Sequence, residues 1–207
     1  MNKQNLFYNL SYVYELVIVS IIFIIFSILS KNKIFIILSF MCLLFLLFFF
    51  RNFLSNLTLN PSLFLSPSSS KVTNIDYEKN IIYTYLSPLD KHFMIAPVDC
   101  TVTNIDRKKL IESDAERVRV SFIDQFGNAF SLDQIVSKWG YGAWLLSFIY
   151  KERCVVFAKV GDKLKQGERY GLIRFGSNMQ YNLPHNYQII VKKNQHINIA
   201  QPVASFM

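Results

Sequence analysis

The chain has 207 residues, a formal net charge of +8 at neutral pH and a hydrophobic content of 52%, which is high for a soluble protein. Its basic residues form no stripe, so the composition argues against nucleic-acid binding and favours a solvated basic surface or attraction to anionic lipid. Three cysteines, at positions 42, 100 and 154, have the spacing of neither a disulfide framework nor a zinc site. We expect structural cysteines in a reducing compartment and predict no metal site.

Two apolar runs, Leu16–Ser30 and Ile34–Phe50, lie near the start of the chain. Extended to about residues 12–30 and 34–53, each reaches the roughly 20 residues that cross a bilayer. We therefore predict that residues 1–53 are a membrane anchor, a transmembrane helical hairpin with both chain ends on one side. A cleaved signal peptide is the alternative for the first run, but a second run follows directly and no small-residue cleavage site is visible. Basic residues balance across the hairpin, so charge does not orient it.

Residues 54–70 are rich in Asn, Ser, Leu and Pro and are predicted to be a linker. Residues 71–207 contain short β-branched and aromatic runs between turn residues, which predicts a mainly β domain, a sandwich or barrel hybrid. One segment, Leu132–Tyr150, is predicted to hold a helix. The predicted strands are Ile81–Leu86, Cys100–Ile105, Val118–Ile123, Cys154–Val160, Arg169–Phe175 and Tyr187–Val191.

An internal repeat indicates a symmetric β core. Val72-Thr73-Asn74-Ile75-Asp76 recurs as Val102-Thr103-Asn104-Ile105-Asp106, offset by 30 residues. A weaker similarity joins residues 160–167 with residues 197–204. This strand–turn pattern resembles that of lipoyl-type hybrid domains. Those domains present a lysine for modification on a tight hairpin, and no such hairpin motif is visible in this sequence.

Both tryptophans lie in the mostly apolar run Trp139–Tyr150. Aromatic rings with a polar tip favour the headgroup zone of a bilayer, so this run could dip into lipid. Burial in the protein core is the equal alternative.

The most informative stretch is Gly167–Asn178, in which Gly176-Ser177 ends a Gly-punctuated β-like run. Self-processing at such a bond needs a hydroxyl nucleophile, a preceding residue that tolerates a strained peptide, and a base. A second block, Tyr85–His92, is followed by Ala96-Pro97 and offers His92, whose imidazole titrates near neutral pH. The other two histidines, at positions 185 and 196, are interpreted as ordinary polar residues.

These two blocks resemble the phosphatidylserine decarboxylase family, particularly its short bacterial and archaeal branch, in which Ile-Arg-Phe-Gly-Ser is split between Gly and Ser. The resemblance runs from about residue 14 to residue 205. It implies cleavage between Gly176 and Ser177, with His92 as the base. It also implies a pyruvoyl group made from Ser177, which forms a Schiff base with the substrate amine and requires no external cofactor.

The resemblance further implies a membrane-anchored carboxy-lyase that converts phosphatidylserine to phosphatidylethanolamine and CO₂. Its partners would be the phospholipid membrane and its own two cleavage chains, residues 1–176 and 177–207, and a homodimer stays open. We expect it at a bacterial inner membrane, with the main domain on the cytoplasmic side.

One departure from the family concerns the aspartate that orients the histidine. The family block Ser-Pro-Ala-Asp-Gly is replaced by residues 66–70, Ser-Pro-Ser-Ser-Ser, which puts Ser69 at the aspartate position. Asp90 or Asp99 could substitute if the fold brings either to His92. After Ser177, Asn178 and Gln180 stand where the family usually has a basic and then an acidic residue.

Two other hypotheses therefore remain open. The first is a non-catalytic relative that binds lipid or serves membrane assembly, which the Ser69 change favours. The second is a biotinyl-type or efflux-adaptor hybrid domain, which fits the glycine turns but lacks a lysine hairpin and a long helical arm.

Overall fold

The computed structural model describes residues 14–49, 59–87, 90–110, 115–136, 152–174 and 177–207. The chain divides into two compact units, Met1–Phe53 and Leu54–Met207. The first holds helices α1 (Tyr14–Leu29) and α2 (Lys33–Phe49). The described part of the second holds β1 (Leu63–Leu65), β2 (Ser70–Asp76), β3 (Ile81–Leu86), β4 (Phe93–Ile95), β5 (Cys100–Leu110), β6 (Ala115–Asp124), β7 (Ala129–Val136), β8 (Cys154–Val156), β9 (Lys163–Leu164), β10 (Arg169–Ile173), β11 (Ser177–Asn182), β12 (Tyr187–Ile189), β13 (His196–Ile197) and β14 (Pro202–Phe206).

The two helices form a hairpin. The Ser27 and Ser39 hydroxyls are 2.8 Å apart across the helix interface, and Asn32 Oδ1 accepts a hydrogen bond from the Ile34 backbone N–H as an N-cap. Among the described residues, no helix combines the length and the apolar character needed to cross a membrane. The predicted pair of helices is present over residues 14–29 and 33–49, and the predicted extensions to residues 12 and 53 lie outside the described residues.

The second unit is mainly β, as predicted. Its largest sheet has the order β13-β2-β3-β11-β7-β6-β5-β9, and two three-stranded sheets have the orders β1-β14-β12 and β4-β10-β8. The small sheets pack on the large one: the Phe64 ring is 5.3 Å from Phe130, and the Phe122 ring is 5.4 Å from Tyr170. This two-layer packing is consistent with a β sandwich.

An internal duplication organises these sheets, since β2 and β5 occupy equivalent places in the order of the large sheet. The pairing of β2 with β3 and of β5 with β6 shifts register at equivalent points, Val72/Asn74 and Val102/Asn104. Val72 N donates to Gln195 O at 2.8 Å, as Val102 N donates to Asp162 O at 2.9 Å. The sequence repeat at an offset of 30 residues is thus confirmed. The weaker similarity lies between residues 161–167 and 194–200 instead of residues 160–167 and 197–204, because Leu164 pairs with Cys100 as Ile197 pairs with Ser70.

The duplication has an unusual connectivity. Strands β4 to β10, residues 93–173, form one repeat, and they interrupt the other repeat between β3 and β11. In the uninterrupted repeat, β6 and β7 are joined by a tight turn in which Asp124 N donates to Asn128 O at 2.9 Å. In the interrupted repeat, the equivalent strands still pair, with Leu86 opposite Ser177. One repeat is therefore inserted into a hairpin of the other.

Two predicted elements differ from the structure. The predicted helix Leu132–Tyr150 is wrong over its first residues, because β7 extends to Val136 with Phe130, Leu132, Gln134 and Val136 buried at every second position. Its remainder, which includes the tryptophan run, lies outside the described residues. The predicted linker, residues 54–70, contains strand β1, which pairs with β14 and carries the fully buried Phe64.

The three cysteines are free thiols. Cys100 and Cys154 are buried and Cys42 is exposed. Desolvation raises the pKa of Cys100 to about 12 and raises that of Cys154 well above its ordinary value. Both buried thiols are therefore protonated and unreactive at neutral pH.

Candidate functional site

Two of the predicted site residues, His92 and Ser177, lie where the chain passes between the two repeats. The chain leaves β3 through Ser87–His92 and returns to the large sheet at Ser177, the first residue of β11. Ser177 pairs with Leu86, so the start of β11 lies beside the residue that precedes this loop. Gly176 and the side chain of Ser177 lie outside the described part of the structure.

His92 is fully buried and held at two points. Its main-chain oxygen accepts a hydrogen bond from Ile173 N at 2.9 Å, close to the end of β10. Its Nδ1 atom is 2.8 Å from the main-chain oxygen of Asp90. Because a carbonyl oxygen can only accept, Nδ1 carries the hydrogen, and the neutral imidazole has its lone pair on Nε2. This is the tautomer that a general base at Nε2 requires.

Asp90 connects His92 to the strand that pairs with Ser177. Its carboxylate is buried, and Oδ2 accepts a hydrogen bond from Ser87 N at 2.8 Å. The main chain closes the same turn, since Asp90 N donates to Ser87 O at 3.0 Å. Of the two predicted substitutes, Asp90 therefore contacts His92, but through its main-chain oxygen, while its carboxylate bonds other groups.

Asp99 and Ser69 are equivalent positions in the two repeats. Asp99 accepts hydrogen bonds from Lys165 Nζ at 2.7 Å and from Gln166 N at 2.8 Å. Desolvation alone would raise its pKa, but these hydrogen bonds and the Lys165 charge outweigh that effect, so the pKa of Asp99 is lowered. Ser69 Oγ accepts from Ile199 N at 3.0 Å, which is the matching contact. Asp99 therefore caps a turn of the other repeat and does not replace the carboxylate missing at Ser69.

His196, which the sequence led us to interpret as an ordinary polar residue, also belongs to this site. Its Nε2 atom is 2.9 Å from Asp90 Oδ1. The two residues are 106 positions apart, and β13 brings them together by pairing with β2 at the edge of the large sheet. No local sequence pattern reports such a contact.

The strands beside β11 carry a cluster of charges. Asp133 lies opposite Gln180 of β11 and is fully buried. It accepts hydrogen bonds from Arg119 at 2.7 and 2.9 Å and from Arg117. Hydrogen bonding to Asp133 raises the pKa of Arg119. These contacts hold β6 and β7 in register next to the strand that begins at Ser177.

The two residues that depart from the family after Ser177 lie on β11. Asn178 is exposed, and Gln180 Nε2 donates a hydrogen bond to Asn182 Oδ1 at 2.6 Å. Within the described ranges, no group of three or more His, Cys, Asp or Glu residues is placed to hold a metal ion.

Sequence comparison with known proteins identifies relatives of this chain. An archaetidylserine decarboxylase proenzyme of Methanosarcina barkeri is 28% identical over 160 residues, 74% of this chain and 72% of the relative. A phosphatidylserine decarboxylase proenzyme of Neisseria meningitidis is 27% identical over 161 residues, 70% of this chain and 57% of the relative. One from Mycobacteroides abscessus is 31% identical over 116 residues, 55% of this chain and 47% of the relative.

No solved structure matches the chain significantly. The sequence model of the family described as phosphatidylserine decarboxylase matches residues 45–205, which include the β unit and both blocks of the candidate site. The chain belongs to the phosphatidylserine decarboxylase family.

Proposed function

We propose that this protein is a membrane-anchored, pyruvoyl-dependent phosphatidylserine decarboxylase that cleaves itself between Gly176 and Ser177. The main support is the hydrogen bond of 2.8 Å between His92 Nδ1 and the Asp90 main-chain oxygen. Both residues lie on the loop that follows β3, whose last residue pairs with Ser177. This hydrogen bond favours the tautomer with the hydrogen on Nδ1, which leaves Nε2 free to accept a proton. Membership in the family supplies the reaction class, decarboxylation of an aminophospholipid.

In the proposed cleavage, the Ser177 oxygen attacks the Gly176 carbonyl carbon while its proton passes to His92 Nε2. The peptide C–N bond breaks as the nitrogen takes up a proton, which leaves an ester between the two residues. Loss of the Ser177 Cα proton then expels the Gly176 carboxylate and releases the upstream chain. Water hydrolyses the remaining dehydroalanine, so ammonia leaves and a pyruvoyl group remains at residue 177.

Two features of the chain fit such a group. Strand β11 is paired on both sides, with β3 and β7, so the residue at its start stays fixed after the bond before it is cut. The buried His92 remains on the other chain, bonded to Ile173 and Asp90. A pyruvoyl ketone accepts the electron pair that is released as CO₂ departs. His92 would then hold the proton that the product carbon takes up.

We also propose that the helical hairpin attaches the protein to a bacterial inner membrane, with the β unit on the cytoplasmic side. Large apolar side chains on α1 face outward from the hairpin: the exposed fraction is 59% for Ile22, 61% for Phe26 and 75% for Leu29. The polar contact between Ser27 and Ser39 lies between the helices instead. Helices that pack together in lipid are expected to expose apolar side chains and to place hydroxyl groups between the helices. The net charge of +8 would strengthen binding to anionic lipid.

A second candidate is a non-catalytic relative that binds lipid. The observation that favours it is the buried hydroxyl of Ser69, which caps Ile199 and carries no charge at the position of the family aspartate. In that case the turn geometry would be retained while the bond before Ser177 stays intact.

The test is intact mass spectrometry of the purified full-length protein. We expect two chains, residues 1–176 and residues 177–207 with pyruvoyl in place of serine, and a single chain in the Ser177→Ala control. His92→Ala should leave the chain uncleaved or slow its cleavage strongly. Cleaved protein mixed with phosphatidylserine vesicles should release CO₂. A wild-type chain that stays whole for days at neutral pH would rule out the pyruvoyl mechanism and favour the lipid-binding relative.

A further inference from the structure

We propose that His196 is a positioning residue for His92 and acts through Asp90. This inference rests on the proposed function, because it treats His92 as the base. It adds to the site a residue from β13, an edge strand of the large sheet, which reaches the loop between β3 and β4 across 106 residues of sequence.

Asp90 is held from two sides. Oδ2 accepts from Ser87 N at 2.8 Å, within the loop itself, while Oδ1 accepts from His196 Nε2 at 2.9 Å, outside the loop. An ionised carboxylate oxygen accepts hydrogen bonds and donates none, so the donor is His196 and its Nε2 atom carries a hydrogen. Asp90 is 7% exposed, so water competes weakly for these two bonds.

The restraint on Asp90 extends to His92 through the Asp90 main chain. The main-chain oxygen of Asp90 accepts the hydrogen of His92 Nδ1. Fixing the Asp90 side chain at both oxygens limits rotation of the backbone to which that carbonyl belongs. The carbonyl direction sets the orientation and the tautomer of the His92 ring. Loss of the His196 contact would leave Asp90 held by its own loop alone, which allows the carbonyl to turn away.

The positioning role of the His196 side chain can be distinguished from a role in the stability of the fold. The β13–β2 pairing joins His196 to Lys71 and Ile197 to Ser70 through the main chain, so it does not require the imidazole. Ile197 is fully buried and anchors the strand, whereas 55% of the His196 side chain is exposed. Replacing the imidazole should therefore leave the core unchanged and alter only the site.

The experiment compares His196→Gln, His196→Asn and His196→Ala in the full-length protein in detergent. A glutamine amide nitrogen can reach the place of the imidazole Nε2, whereas an asparagine amide is too short. His185→Ala is the matched control, because His185 is an exposed histidine in a turn away from the site. Three quantities are measured: the rate of chain cleavage, the unfolding temperature, and the ¹⁵N shifts of the His92 ring, which report its tautomer.

We expect the Ala and Asn variants to cleave about tenfold more slowly, as for the loss of one hydrogen bond to a carboxylate. Gln should stay within about twofold of wild type, and His185→Ala should match wild type. The Nδ1–H tautomer of His92 should lose population in the Ala and Asn variants only, with all unfolding temperatures alike. Wild-type cleavage in the Ala variant, equal slowing in all three variants, or slowing that follows the unfolding temperature would overturn the proposal.

The tautomer measurement keeps this test independent of the proposed function. If the wild-type chain is never cleaved, the proposed function fails, but the ¹⁵N shifts can still be compared. A tautomer change in the Ala variant that Gln restores would then support the positioning role, and unchanged shifts would refute it.

Discussion

Replacing Ser69 with aspartate tests whether the carboxylate that the family resemblance predicts at this position would speed the proposed cleavage. The Ser69 hydroxyl caps Ile199 N at 3.0 Å, and the equivalent Asp99 carboxylate caps Gln166 N at 2.8 Å. The duplicated fold therefore already contains an aspartate in the same turn. We expect Ser69→Asp to preserve the cap and the backbone around it.

The duplication also indicates where the new carboxylate would lie. In the repeat that carries Asp99, Gln166 Nε2 donates to Leu63 O at 2.8 Å. The residue equivalent to Leu63 is Phe93, which directly follows His92, since β1 pairs with β14 as β4 pairs with β10. A carboxylate at position 69 should thus lie beside the segment that carries His92.

The expected gain in rate is smaller than a comparison with serine proteases suggests. There, changing the orienting aspartate to asparagine lowers the rate about 10⁴-fold, largely because the wrong tautomer forms. Here the Asp90 main-chain oxygen already fixes the His92 tautomer. Only the stabilising charge is added, so we expect cleavage to accelerate about 10- to 100-fold, or about 1.4 to 2.7 kcal/mol in barrier height.

Stability should move in the opposite direction. Ser69 is 4% exposed, and burying a carboxylate there costs several kcal/mol before its partners compensate. With the Ile199 amide and His92 as partners, we expect a net loss of about 1 to 3 kcal/mol and an unfolding temperature lower by about 3 to 10 °C.

The assay follows the cleavage half-time of the full-length protein by mass spectrometry, with Ser69→Asn as the neutral control. Asparagine keeps an acceptor oxygen for Ile199 N but adds no charge. The reasoning is refuted if the Asp and Asn variants cleave at the same rate, since the carboxylate charge would then have no effect on His92.

Three further predictions concern the β unit. After cleavage, the chain that begins at Ser177 should stay bound in native size-exclusion chromatography and separate only in denaturant, because β11 pairs with strands on both sides; separation without denaturant would contradict this. The folded pKa of Asp99 lies below its ordinary value of 3.8, so its ionised form stabilises the fold above about pH 4 and this contribution disappears as pH falls through the folded pKa. Asp99→Asn should therefore lower the unfolding temperature at pH 7 more than at pH 3, and an equal effect would argue against the Lys165 contact. Gly171→Ala should destabilise the unit by about 1 to 3 kcal/mol in urea unfolding, because a Cβ there would lie 2.8 Å from Val155 O; an unchanged midpoint would show that the backbone yields.

The sequence predicted those parts of the fold that depend on local patterns. Strand Ile81–Leu86 was predicted with its observed bounds, because its buried residues alternate with partly exposed ones. The repeat was visible because Val72–Asp76 and Val102–Asp106 contain the same five residues. The Leu132–Tyr150 helix failed over its first residues because a buried strand and a buried helix segment have similar composition.

The site was predictable to the extent that it lies in continuous motifs. His92 and Ser177 were predicted from two blocks, each of which is one continuous stretch of the chain. The contact of Asp90 with His196 was not, since it depends on the pairing of β13 with β2. The roles of Asp99 and Ser69 as equivalent caps also required the fold, because each bonds an amide more than 60 residues away.

The insertion of one repeat into the other would let the proposed cleavage occur without loss of the fold. Cleavage before Ser177 would break one of the two connections between the repeats, and the other connection, Ser87–His92, carries the proposed base. The base and the new chain end would then lie on different chains. Their relative position would depend on the six residue pairs that join β3 to β11, from Leu86–Ser177 to Ile81–Asn182. Because that register does not use the bond before Ser177, we expect the site to keep its geometry for the decarboxylation that we propose to follow.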